Sequence, residues 1–291
     1  MKEAFAMWKY TRMVVLVALS AAMYAAVLLP FKLFPVIPGI TEARPANVFP
    51  VICSLMFGPA GAWGSALGNF IGDLLGGTYG LGSYFGLVAN FWYGYLPYRI
   101  WRLLTNREPL ASWGSVINRI KSGKVWHQDG SISLLLMYLA VTFVASLACA
   151  VQLCWGIDIL GIVPYHILAP AITLNNFIAA GILGPLLLPV LYPRVKKWGL
   201  LYTDIMDEED LSSGHLPHVA HFLIWGVLLV GLVFGISISL GITGSQELAI
   251  NIPGGYNLMT IPLSEIPEWS FNVGSGLIPI IVLLFLACLL I

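Results

Sequence analysis

The sequence predicts an all-α membrane protein: a bundle of six spanning helices within residues 1–198, then a cytoplasmic loop and two further transmembrane helices within 199–291. Three observations carry that prediction. Hydrophobic residues fill 58% of the 291 positions and charged residues 10%, with mean hydropathy +0.86; a soluble chain carries about 25% charge. Eight apolar stretches approach or reach the roughly 20 residues an α-helix needs to cross the hydrocarbon core. The basic residues, laid on the map those stretches define, fall almost wholly on one side.

The stretches are 13–30, 46–58, 60–76, 82–104, 132–155, 171–192, 219–241 and 273–291. The first follows Lys2, Lys9 and Arg12 without a convincing cleavage site, so it reads as a membrane helix rather than a signal peptide. The second is short, and Pro50 and Gly58-Pro59 blur its limits. With the N-terminus inside, the cytoplasmic segments hold Lys2, Lys9, Arg12, Arg99, Arg102, Arg107, Arg119, Lys121, Lys124, Arg194, Lys196 and Lys197, twelve of the 14 Lys and Arg. Only Lys32 and Arg44 lie outside, a strong positive-inside signal that would scramble if one of the first six spans were missing. Beyond Lys197 there is no Lys or Arg, so connectivity alone orients the last two spans. The acidic run from Asp207 to Asp210 reads as a solvated loop face.

Several chemistries drop out. Formal net charge is zero, so no basic field points to nucleic acid. Cys53, Cys149, Cys154 and Cys288 sit in apolar runs without a CxxC pair and read as small buried hydrophobes. His215, His218 and His221 could suit a metal by spacing, but Pro217 interrupts their helical face, so no metal and no cofactor is expected. No GxxxxGK[ST], HExxH or GxSxG pattern occurs, so the chain is not expected to be an enzyme or to hydrolyse ATP by a phosphate loop.

Polar side chains at membrane depth are costly and mark sites or pathways. Asn69 and Asp73 lie four residues apart on one helix face in an outward-running span. Asn90 lies in the first half of an inward span, Gln152 ends an outward one, and Asn175 and Asn176 begin the next; Arg44 stands at the outer mouth. All fall in the outer half, surrounded by Trp63, Tyr79, Tyr84, Phe85, Phe91, Trp92, Tyr93, Trp155 and Tyr165. That describes a cup open to the exterior and closed by apolar packing below, as small-molecule pockets are built. Interfacial aromatic belts and amide contacts between helices would give the same residue types. Ala18, Ala22 and Ala26 form a small-residue stripe that fits either internal packing or docking onto another subunit.

The alanine stripe, the outside loop ending Arg44-Pro45, the Gly58-Pro59-x-Gly61 turn and the GNFIGDLLGG that follows resemble the substrate-binding S components of energy-coupling-factor (ECF) transporters, over about residues 10–198. The resemblance implies a substrate-specific membrane subunit in the cell membrane that captures a vitamin or related micronutrient at its outer face. Its partners would be a transmembrane coupling subunit and two ATPase subunits. It implies that Ala18, Ala22 and Ala26 face the coupling subunit and that Arg44 belongs to a loop closing over substrate. Tyr84, Asn90, Gln152, Asn175 and Asn176 would line the pocket, with Asn69 and Asp73 beside them. Two extra spans, the 242–272 outside loop and the long basic 106–130 loop depart from the family pattern. A self-contained ion-coupled secondary transporter working through Asp73 is the alternative, although it calls for further intramembrane acids.

Overall fold

A computed structural model describes residues 1–32, 35–37, 41–42, 44–105, 129–211, 217–244, 247–252, 256–262 and 273–290. Its helices are α1 (Lys2–Ala6), α2 (Thr11–Phe31), α3 (Val48–Phe57), α4 (Pro59–Leu75), α5 (Leu81–Thr105), α6 (Asp129–Ile159), α7 (Tyr165–Lys197), α8 (Tyr202–Ile205), α9 (Pro217–Gly244) and α10 (Val273–Leu290). Single 3-10 turns, Met7–Lys9 and Pro45–Asn47, lead into α2 and α3. Two small antiparallel hairpins interrupt the helices: β1 (Pro35–Ile37) with β2 (Thr41–Glu42), and β3 (Glu247–Ile252) with β4 (Tyr256–Pro262). His215 and most of the 106–130 loop lie outside the described residues, as do the side chains of His218 and His221.

Each apolar stretch coincides with a helix, and among the described residues α2, α6, α7, α9 and α10 are long and apolar enough to cross a membrane. The short second stretch has a structural explanation. At 10 residues α3 is about 15 Å long, half a bilayer core. It is buried along almost its whole length and enclosed by α2, α4, α5 and α7. Gly58 ends it with φ +54, and Pro59 restarts the chain as the first residue of α4.

The helices run alternately between two ends. Lys32 meets Asp73 at one end (Nζ to Oδ1, 3.1 Å), where α2 and α4 finish. Glu3 meets Arg99 at the other (Oε1 to Nη1, 2.7 Å), where α5 finishes. Between them α2 and α4 pack closely, because α4 presents Gly64, Gly68 and Gly72 at four-residue spacing. A Cβ added at Gly64 would lie 2.4 Å from Ser20 Cβ, and one at Gly72 would lie 2.6 Å from Leu28 Cδ2. Gly64→Val is therefore expected to destabilise the bundle by about 1–3 kcal/mol through overpacking. The check is the thermal unfolding midpoint in detergent; an unchanged midpoint would contradict so close an approach.

At the Arg99 end the structure departs from the expected apolar floor. Helix α1 tucks under the bundle, with Glu3 0% exposed and Arg99 2%. Tyr98 donates its hydroxyl hydrogen to Glu3 Oε1 at 3.0 Å, and Arg102 Nη1 stands 3.5 Å from Glu3 Oε2. Trp63, expected around the outer cup, is here instead and donates its indole N–H to the Ala4 carbonyl at 2.8 Å. The acidic run is not simply solvated. The Tyr10 hydroxyl lies within 3.0 Å of carboxylate oxygens of Asp207 and Asp210, Lys9 pairs with Asp210 at 3.3 Å, and Lys2 donates to the Glu209 carbonyl. The Tyr10 hydrogen bond, aided by Lys9, holds the Asp210 carboxyl below its ordinary range.

Helices α9 and α10 pack on each other and against α6 and α7. Leu284, Ala287 and Cys288 of α10 belong to the same apolar core as α3, α4 and α5, with Phe285 edge-on to Trp92.

Candidate substrate-binding site

The predicted amides meet near the Lys32 end, in a network that draws on five segments. The Tyr24 hydroxyl of α2 donates to Asn47 Oδ1 at 2.9 Å and lies 3.2 Å from Asn90 Oδ1. Asn47, closing the 3-10 turn before α3, donates from Nδ2 to Asn176 Oδ1 of α7 at 2.6 Å. The Tyr93 hydroxyl of α5 lies 2.9 Å from the Asn47 carbonyl and 3.1 Å from that of Asn176. Buried Cys149 of α6 lies beside Asn176, with half-buried Arg44 near it. Pro45 starts the turn, which lies against both α2 and α7 and so carries Asn47 into the bundle.

Asn69 and Gln152 flank this network. Asn69 lies beside Gly86, whose carbonyl accepts a hydrogen bond from Asn90 Nδ2 at 2.8 Å. A Cβ on Gly86 would approach Asn69 Nδ2 to 3.1 Å, so glycine is what lets the two asparagines share this place. Gln152 is three residues beyond Cys149, on the same side of α6. Asn69 Oδ1 and Gln152 Oε1 are buried acceptors with no hydrogen-bond partner among the described residues. A buried acceptor left unmet costs about 1–3 kcal/mol, which makes both natural docking points for N–H donors.

The other predicted residues divide. Asp73 is paired with Lys32, which also bonds Thr78, so its charge is neutralised within the chain. Asn175 is half-buried next to Asn176. Tyr84 is not brought to the network: it is 52% exposed, its hydroxyl 2.6 Å from that of Tyr79, both rings against Phe70. Asn69, Asn90, Gln152 and Asn176 are only 3–4% exposed. In place of the expected open cup, the structure has a closed cluster whose amides largely satisfy one another. Ala18, Ala22 and Ala26 all face outward, whereas Ala21 and Ala25 face inward with Tyr24. The stripe is therefore not used for packing among the described residues.

Tyr24 and Asn47 were missed in the sequence. Asn47 obeys the same rule that singled out Asn90, a polar amide at the outer end of an apolar stretch, and could have been found by it. Tyr24 was hidden because the alanines drew attention to the opposite face of its helix. Chemically the cluster offers amide and hydroxyl donors and acceptors without net charge, with Arg44 at its rim, a set suited to a neutral polar ring. Among the described residues no group of three His, Cys, Asp or Glu could hold a metal ion.

No curated protein and no solved structure matches the chain. The family model described as QueT transporter matches residues 14–193, from the first turn of α2 to the last turns of α7. That match takes in more than half of the sequence and every member of the amide cluster, so the chain belongs to the QueT transporter family, multi-pass membrane proteins of the ECF-type S-component class.

Proposed function

We propose that this chain is the substrate-specific membrane subunit of an ECF-type importer. It captures a queuosine precursor at the outer face and delivers it inward with a transmembrane coupling subunit and two ATPase subunits. The observation that carries this reading is the buried network of Tyr24, Asn47, Asn90, Tyr93 and Asn176, flanked by the unmet acceptors of Asn69 and Gln152, inside the family-matched segment. A planar heterocycle rich in N–H donors and carbonyl acceptors could replace the amide-to-amide bonds with its own and supply the two missing donors. Arg44, on the loop before Asn47, closes over it. Asn175 adds a polar group beside Asn176, and Tyr84 with Asp73 belongs to the rim.

In this reading residues 1–198 form the six-span substrate-binding core, with 199–291 adding the cytoplasmic loop and two further spans. The N-terminus is cytoplasmic, which places the Lys32 end outside. Exposed Ala18, Ala22 and Ala26 meet the coupling subunit. The ion-coupled alternative loses support because Asp73, through which it would work, already has Lys32 as counter-ion.

The test is titration of the purified full chain in detergent, without ATP, with queuosine precursor bases. Asn90→Ala and Asn176→Ala are each expected to weaken binding by about 1–3 kcal/mol, roughly 5- to 150-fold. Unfolding midpoints measured in parallel separate lost contacts from lost folding. Unchanged affinity in both folded variants would move the site elsewhere.

A further inference from the structure

A cavity of about 390 Å³ lies apart from the amide cluster, between the last turn of α6 and the first turn of α10. Trp155, Asp158, Ile159, Gly274, Ser275 and Ile278 line it. Its size is within the range of small-molecule pockets. The indole N–H of Trp155 donates to the Gly274 carbonyl at 2.9 Å and ties the two helices together beneath it. The backbone N–H of Tyr165 donates to Asp158 Oδ2 at 2.7 Å, which fixes the carboxylate and leaves its other oxygen outside that bond. Among the described residues no basic side chain lines the space. Nearby His166 is tied to Ser239 at 2.8 Å.

A fixed carboxylate beside an indole ring, with isoleucine walls, is the chemistry that holds an organic ammonium. The charge meets Asp158, and the indole adds a cation–π contribution when the cation is desolvated. We propose that this cavity is a second binding site, specific for a small organic monocation carrying an amine. The amine comes either from a free solute or from an aminated lipid headgroup, since Ile159 and Ile278 are about half exposed at its edge. The site is independent of the substrate reading above, because it shares no residue with the amide cluster.

The experiment uses the full chain in phosphatidylglycerol nanodiscs, titrated with phenethylamine and with its neutral counterpart 2-phenylethanol. Saturable phenethylamine binding is expected, weakened at least tenfold by Asp158→Asn, which keeps the acceptor for Tyr165. The alcohol should bind weakly and equally to both proteins. Ile278→Trp fills the cavity from an exposed position and should abolish phenethylamine binding, whereas Asn176→Ala should leave it unchanged. Repeating the titration with phosphatidylethanolamine in the discs separates the sources: competition assigns the site to headgroups, and no competition assigns it to free amines. Absence of saturable binding, equal affinity in Asp158→Asn, or loss in Asn176→Ala overturns the proposal.

Discussion

Glu3→Ala is expected to destabilise the protein more than any other single substitution considered, by about 3–5 kcal/mol, the cost of removing one partner of a buried ion pair. Glu3 is fully buried, 2.7 Å from Arg99, and accepts the Tyr98 hydroxyl at 3.0 Å. Its loss leaves a guanidinium that is 2% exposed without its carboxylate. Chemical or thermal unfolding of the full chain in detergent reads the effect. Glu3→Gln should cost less, because it keeps an acceptor for Tyr98. Combining Glu3→Ala with Arg99→Met should recover part of the loss, since the stranded charge is gone. A penalty below about 1 kcal/mol for Glu3→Ala would mean that α1 does not seal this end.

Ala22→Trp is expected to abolish uptake while leaving substrate affinity and the unfolding midpoint close to those of the parent. The basis is directional: Ala18, Ala22 and Ala26 point away from the bundle, so added bulk meets no neighbour among the described residues. Close helix approach between subunits depends on small residues, and an indole at the centre of the stripe would hold a partner helix away. Transport assayed in cells, with binding assayed on purified protein, separates the two effects. Normal uptake would remove the stripe from the docking surface. Lost binding with a lowered midpoint would place it inside the fold after all.

Much of the architecture could be read from the residues because a bilayer makes strict demands on sequence. Apolar length fixed where α2, α5, α6, α7, α9 and α10 run, and amides at one depth pointed to Asn90, Gln152 and Asn176. The same rules failed for the Arg99 end. Glu3 precedes the first apolar stretch and Arg99 counts as a flanking base, so nothing local pairs them; folding brings them together across 96 positions of sequence. Trp63 is a different case: it stands at the start of the stretch 60–76, the end away from Lys32, so its place could have been read from the span map.

The amino-acid sequence alone determined that the chain is helical, membrane-embedded and polar near one end, because hydration cost depends on residue type and spacing. Tertiary structure alone decided which faces were used. It turned the alanine stripe outward, turned Tyr24 inward to Asn47, neutralised Asp73 with Lys32, left Tyr84 on the surface and closed the amides upon one another. Those outcomes depend on helix rotation and on contacts between segments distant in sequence, and hydrophobic periodicity is too weak to set rotation where a helix is apolar all round.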